Sequence, residues 1–261
     1  MQYHVGLARG DVAPSILLVG DRARAELVRE RFDAPRPRIG KGAREYWTYT
    51  GRVRGRPTSV IATGMGCDNT EIALVELLAC VDRPDLVRVG SCGALQPDAR
   101  LGDLIISSGA LRLEATTLGF VDAEYPAVAH HEMTLALLTA AARAGHRHRL
   151  GLTATAAGFY GWQARRGGPF APRVPDLDAR LAAWGVENFE MEASALFVLA
   201  SLKKLRAGCV CAVFAERPRD RFIAGRDKRA AEERAIDVGL GALEVLADMD
   251  AKRGRAPHFT L

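Results

Sequence analysis

Arg88 stands between two valines in Leu86-Val87-Arg88-Val89-Gly90, where its neighbours ask for a buried strand. A guanidinium among apolar side chains costs several kcal/mol unless an anion meets it. The residues that follow, Gly90-Ser91-Cys92-Gly93, are small and lie at a strand end, so their amides and the Ser91 hydroxyl are placed to line an oxyanion pocket. Two other apolar runs carry an arginine beside glycine: SILLVGDRAR (15 to 24), with Gly20 and Arg24 at the opening of a helix, and KGAREYWTY (41 to 49), with Arg44. Arginine suits phosphate because its planar fork donates two parallel hydrogen bonds. Taken singly, Arg24 and Arg44 read as surface charges, and Arg88 as the partner of a carboxylate such as Glu76 or Glu192. Taken together, three arginines and two glycine turns point to one shared anion. No GxxxxGK[ST] sequence occurs, nor a GxGxxG between strand and helix, which excludes a nucleotide P-loop and a dinucleotide fold.

Two further groups of residues suggest what accompanies that anion. In Phe189-Glu190-Met191-Glu192-Ala193, expected to open a helix, the two acids point in different directions, so that one reaches a site. A carboxylate accepting two hydrogen bonds is the natural partner of a vicinal diol such as that of ribose. The plainer account is an acid at a helix N-terminus, worth under about 1 kcal/mol. In Phe159-Tyr160-Gly161-Trp162-Gln163-Ala164-Arg165, Gln163 supplies a donor and an acceptor and Arg165 a fixed cationic fork. That set matches the O-N-O edge of a uracil ring, with Phe159 as a stacking face; the alternative is a polar loop with its aromatics in the core.

Residues from such distant segments need a framework to bring them together. Short apolar runs alternate with stretches of helical period: SILLVG then AELVRERF, SVIAT then EIALVELLACV, LVRVG and DLIISSGAL then MTLALLTAAARAG. This alternation predicts a single α/β domain over 1–261, a three-layer α/β/α sandwich around a central mixed sheet. YWTYTGRVRGRPTSVIAT reads as a hairpin around Gly51 to Pro57, and RRGGPFAPRVPDL (165 to 177), dense in Gly and Pro, as an active-site flap. Helical period returns at EMEASALFVLASLKKL, a strand follows at AGCVCAVFA, and the last helix spans roughly AAEERAIDVGLGALEVLADM.

Composition narrows the function classes. The chain has 261 residues and a net charge of +5, from 36 Lys and Arg against 31 acids, and the arginines are dispersed, which favours a solvated surface over a nucleic-acid footprint. Five cysteines, an odd number, lie mostly in apolar runs, which argues for core packing in a reducing compartment and against a disulfide framework. His130-His131 and His146-Arg147-His148 show no metal-ligand spacing and read as surface loops. No apolar stretch reaches membrane-spanning length and MQYHVGLARGDV lacks a signal-peptide core, so a cytoplasmic protein is expected, without membrane or nucleic-acid partners.

Taken as a set, YHVGLARGDV, LLVGDRAR, AREYWTYTG, TGMG, VRVGSCGALQ, FYGWQAR and NFEMEASALF resemble the nucleoside phosphorylase family, and within it the uridine phosphorylases, nearly end to end. The resemblance implies a pentosyltransferase of nucleoside salvage or catabolism: inorganic phosphate attacks the anomeric carbon of uridine, giving uracil and ribose 1-phosphate. Phosphate is then a co-substrate and no cofactor is required. Gly20, Arg24, Arg88 and Ser91 would bind phosphate, with Arg44 reaching across from a neighbouring subunit. Glu192 would hold the ribose hydroxyls, Met191 would pack on the sugar, and the neighbour's His4 would meet the 5′ hydroxyl. Phe159, Gln163 and Arg165 would hold the base. Arg88, Arg165 and Glu192 are the residues expected to carry catalysis, in a dimer-based homo-oligomer, usually a hexamer. Some members place a monovalent cation, such as K+, at the dimer interface, where Glu45, the Met65 carbonyl and Asn69 match; Asn69 replaces the usual serine.

The chain also departs from that pattern. Val213-Phe214-Ala215-Glu216-Arg217 has Glu216 where uridine phosphorylases usually carry Asn, close to an aspartate that protonates the leaving base in purine-cleaving relatives. Glu216 is therefore a base-binding candidate and opens the alternative of a purine nucleoside phosphorylase; an ion pair with Arg217 is the plainer account. Trp162 and Cys67-Asp68 also mark a divergent member. A nucleosidase would make the three-arginine site unnecessary, and a non-catalytic nucleoside- or nucleic-acid-binding protein would not need the reactive residues.

Overall fold

A computed structural model describes residues 1–33, 44–254, 256, 258 and 259, so the first three residues of KGAREYWTY lie outside the described residues. The elements are β1 (Ser15–Val19), α1 (Arg22–Arg29), β2 (Trp47–Val53), β3 (Arg56–Ala62), α2 (Cys67–Leu78), β4 (Asp85–Ala94), β5 (Leu104–Leu113), β6 (Ala127–Val128), α3 (His131–Arg143), β7 (His148–Ala156), α4 (Leu177–Ala183), β8 (Val186–Glu190), α5 (Ala193–Leu202), β9 (Ala207–Glu216), β10 (Arg221–Phe222) and α6 (Gly225–Arg253).

The period of two along the strands sorts the core into two layers. Leu17 and Val19 of β1, Val87 and Val89 of β4 and Val210 and Ala212 of β9 pack with α1, α3 and α6. Their alternates, Ile16 and Leu18, Leu86, and Cys209, Cys211 and Val213, pack with α2 and α5. The sheet is mixed, with helices on both sides as the sequence predicts: β1 runs parallel to β3 and to β4, while β2 closes the predicted hairpin antiparallel to β3. All five cysteines are free and buried, in keeping with core packing.

What periodicity does not reveal is that part of this sheet closes on itself. Strand β4 pairs parallel with β9, β9 antiparallel with β5, β5 parallel with β7, β7 parallel with β8, and β8 returns antiparallel to β4 through Gly93–Phe189 and Ala94–Asn188. Two further strands lie outside the predicted runs: β7, whose outer end carries His148, Arg149 and Gly151, and β8, a five-residue strand VENFE with two acids. As a result the helix expected from Glu190 starts at Ala193 instead. Glu190 ends β8, and its Oε2 accepts the backbone N–H groups of Glu192 (2.8 Å) and Ala193 (2.9 Å), capping the helix from the preceding strand. Among the described residues no helix is long and apolar enough to cross a membrane.

Candidate active site

The carboxyl ends of β1, β4 and β8, the end of β9 and the loop after β7 surround a cleft of about 340 Å³. It is lined by Gly20, Arg24, Arg88, Ser91, Phe159, Gln163, Arg165, Met191 and Glu192, nine of the residues singled out from the sequence.

Arg88 lies at its floor, its side chain 7% exposed. Its Nε donates to Glu190 Oε2 at 2.9 Å, and its Nη2 pairs with Glu192 Oε2. Of the two carboxylates considered for it, Glu192 is thus the partner found, whereas Glu76 binds elsewhere. Both acids of the Glu-Met-Glu run converge on this one arginine, which corrects the expectation that only one reaches the site; the strand-to-helix turn between them brings them to the same side. Glu190 also accepts from Thr155 Oγ1 at 2.5 Å, and burial raises its pKa to about 7 against the opposing pull of Arg88. The second oxygen of Glu192 accepts the Gly66 amide at 2.6 Å. Glu190 therefore positions Arg88 and Thr155 positions Glu190; Glu190 belongs to the Glu-Met-Glu run, whereas Thr155, 35 residues before it, carries no signal in the sequence.

Gly90 makes room for this arrangement. A Cβ there would lie 2.8 Å from Arg88 Nη2 and 2.9 Å from Cys211 Sγ. We expect Gly90→Ala to push the guanidinium out of place and raise the KM for the anionic substrate by about tenfold while leaving the circular dichroism spectrum unchanged. A KM within twofold of the parent would show that Arg88 is not held by this contact.

Arg24 approaches the same end of the cleft from the first turn of α1, whose N-cap is Asp21. It is 5% exposed and bridges Glu232 of α6 (2.9 Å) and the Val89 carbonyl (3.4 Å), so its guanidinium lies against β4. Gly20 and Ser91 complete this end.

At the other end, the Arg165 guanidinium stacks on the Phe159 ring, 3.8 Å from its centroid, and lies 5.7 Å from that of Phe222. Phe159 therefore has one face covered by Arg165, where the sequence reading offers it to a base. The Gln163 amide is buried, and its Oε1 accepts from Arg165 Nη2 at 3.4 Å. Arg165 Nε is buried without a hydrogen-bond partner, and burial together with nearby Arg217 lowers its pKa to about 10. Phe222 lines the cleft from β10 without a signal in the sequence, since a lone aromatic in DRFIAG has no motif around it.

Glu216 and Arg217 do not pair. Successive residues at the end of β9 project to opposite sides, so Glu216 turns out of the cleft, accepting the Leu101 amide at 3.0 Å and facing Arg219 (3.5 Å) and Arg221 (3.8 Å). Arg217 faces the Phe159–Arg165 loop, donating to the Gln163 carbonyl at 2.8 Å and pairing with Asp178 at 3.3 Å. Both readings of Glu216, as a base contact and as the partner of Arg217, are corrected by this geometry.

The residues expected to act across a subunit boundary lie outside the cleft. His4 Nδ1 sits 2.7 Å from Glu76 Oε1, and the His4 and Val5 amides donate to the same carboxylate, fixing the N-terminal segment on α2. Arg44 is exposed, and its carbonyl accepts from Arg22 at 2.7 Å. Glu45 and Asn69 flank Gly64, where a Cβ would lie 2.9 Å from Glu45 Cγ and 2.6 Å from Asn69 Nδ2, and that amide donates to the Met65 carbonyl at 3.1 Å. A carboxylate, a carbonyl and, with the Asn69 amide turned over, an amide oxygen are the hard donors that suit a monovalent cation.

The cleft thus carries arginines at one end, a carboxylate beside them and an amide-guanidinium pair on an aromatic face at the other. The model of the phosphorylase superfamily matches residues 14–244, and the chain belongs to that superfamily. It is 44% identical over 258 residues to the uridine phosphorylase of Thermococcus kodakarensis, covering 98% of this chain and 90% of that one. With the uridine phosphorylase of Treponema pallidum the identity is 35% over 256 residues, covering 97% and 96%. A purine nucleoside phosphorylase of DeoD type from Oceanobacillus iheyensis is 32% identical over 233 residues, covering 89% and 92%.

Proposed function

We propose that the chain catalyses the phosphorolysis of uridine, acting as a pentosyltransferase that yields uracil and ribose 1-phosphate. The observation that carries this reading is the convergence of Gly20, Arg24, Arg88 and Ser91 with Glu192 and with Gln163 and Arg165 in one cleft, in a chain most of whose length aligns with uridine phosphorylases.

Charge dictates the mechanism. As the glycosidic bond stretches, the ribose becomes cationic and the base anionic. Phosphate, held by Arg24, Arg88, Ser91 and the Gly20 amide, faces the cation and then bonds to the anomeric carbon. Arg165 and Gln163 stabilise the charge developing on uracil, in a cleft that excludes water. Arg88 uses Nε for Glu190 and one Nη2 hydrogen for Glu192, so the second Nη2 hydrogen and both of Nη1 remain for phosphate. Glu192, held beside that arginine, offers its remaining lone pairs to the ribose hydroxyls, while Glu190 keeps Arg88 Nε in place. Arg165 leaves the face of Phe159 when the base stacks there.

His4 and Arg44 complete the site from a neighbouring subunit of a dimer-based oligomer, and Glu45, Met65 and Asn69 hold a monovalent cation near that boundary. The soluble, cytoplasmic setting expected from the sequence belongs to the same reading.

Incubation with uridine, with and without phosphate, tests the proposal: uracil release that requires phosphate supports it, and release unaffected by phosphate overturns it in favour of hydrolysis. The purine reading depended on Glu216. With that side chain bound to the Leu101 amide, Glu216→Gln is expected to change uridine turnover by less than about threefold and to leave inosine cleavage where it was, because the amide keeps the hydrogen bond. A selective loss of inosine cleavage would restore the purine reading.

A further inference from the structure

We propose that the start of α3 and the C-terminal tail form a binding site for a divalent cation of the zinc class, held by His131, Glu132 and His258. One ligand atom from each of the three residues lies within 4.8 Å of the other two, although His258 is 127 residues from His131 in the chain. Two imidazoles and one carboxylate form a donor set for Zn2+ and its neighbours in the transition series, with a further position left for water. Tetrahedral coordination needs ligand atoms about 3.4 Å apart, a spacing that the exposed His258 side chain is free to close by rotating about its own bonds.

The surroundings favour the site in two independent ways. The first is preorganisation. Glu132 is 2% exposed and its carboxylate is fixed by Arg253 Nη1 at 2.8 and 2.9 Å and by the Phe259 amide at 2.9 Å, the kind of outer contact that orients a metal-binding carboxylate. The His131 ring is stacked on His130, with centroids 4.7 Å apart, and His130 in turn accepts the Glu132 amide. On the tail side, Phe259 packs against the main core and anchors the segment that carries His258. The second is charge. Glu132, Asp85 and Asp250 share Arg206 and Arg253, three carboxylates against two guanidiniums, which leaves one negative charge beside the two imidazoles. Arg83 and Lys204 also border this region, but both are exposed and screened by water.

The consequence is a removable staple between the tail and α3. Neither histidine belongs to the catalytic cleft, so the site acts on stability and leaves the chemistry alone. No thiol competes for the metal at the surface, since every cysteine is buried.

The test uses the full chain, stripped with chelator and titrated with ZnCl2 in a phosphate-free buffer by calorimetry, with melting followed in parallel. One equivalent of zinc per chain is expected, with a rise in Tm of about 2 °C or more at saturation. His131→Ala and His258→Ala should each weaken binding by at least about tenfold and abolish the rise in Tm. Both variants should keep the phosphorolysis rate of the metal-free parent, and because both side chains are exposed they should fold. The double variant of His146 and His148 serves as a control and should bind as the parent does. Absence of saturable binding would overturn the site, as would binding that survives both single substitutions or is lost only in the control.

Discussion

Arg88→Ala is expected to lower kcat/KM for uridine by about 10³-fold and to remove saturation by phosphate, because the variant loses a charged donor from a water-poor site. The same substitution should destabilise the fold. Glu190 and Glu192 would face each other without the guanidinium that neutralises them, and breaking a buried ion pair from one side costs about 3–5 kcal/mol. Two measurements separate these effects: initial rates with phosphate varied, taken at a temperature where near-ultraviolet dichroism shows the variant folded, and urea denaturation. Arg88→Lys should recover part of the stability, since one ammonium still lies between two carboxylates, but little of the phosphate affinity, since it lacks the fork. A variant lacking Arg88 that still saturates with phosphate, within tenfold of the parent, would remove Arg88 from the anion site.

Arg165→Ala is expected to behave in the opposite way in the folding assay. Arg165 is a half-buried cation beside a second cation, Arg217, with one buried nitrogen unpartnered. Its removal therefore leaves no buried carboxylate behind, and stability should hold or rise. Catalysis should nevertheless fall by about 10²-fold in kcat/KM for uridine, because the negative charge growing on the departing base loses its donor. The KM for phosphate, bound at the far end of the cleft, should stay within about twofold. If uridine turnover persisted undiminished, the base would have to be held elsewhere. The depressed pKa of Arg165 gives this residue a further signature. Below about pH 10 the side chain is charged in the folded and the unfolded chain alike, so its unfavourable burial is constant. Above that, the folded chain sheds the proton first, the unfolded chain binds more protons, and this residue's contribution to stability becomes less unfavourable as pH rises.

The sequence exposed the parts of the site that violate a local rule. Arg88 could be found because a charge inside Val-Arg-Val has no bland home, and Gln163 and Arg165 because a donor-acceptor pair follows an aromatic residue. The strands that carry them could be found because apolar alternation with period two survives wherever both sides of the sheet are covered. The rest depended on distances along the chain that no local pattern encodes. The run around Glu190 has helical composition, and the pairing of β8 with β7 and β4 keeps Glu190 in a strand. Glu216 was read from its neighbours in sequence, yet what it binds is the Leu101 amide, 115 residues away. His258 and His131 meet for the same reason: the last helix returns the tail to the start of α3.

Because β4, β9, β5, β7 and β8 are hydrogen-bonded into an unbroken hoop, none of them can slide past its neighbour without breaking ladders on both sides. Arg88 and Glu190 are mounted on that hoop, whereas Phe159, Gln163, Arg165 and Phe222 sit on the loops and the short strand at its rim. Amide exchange should therefore be slowest in the strands around Arg88 and Glu190 and fastest around Arg165 and Phe222. On the proposed function, substitutions at the rim would alter the contacts with the base while leaving Arg88, Ser91 and Glu190, which the hoop itself carries, where they are.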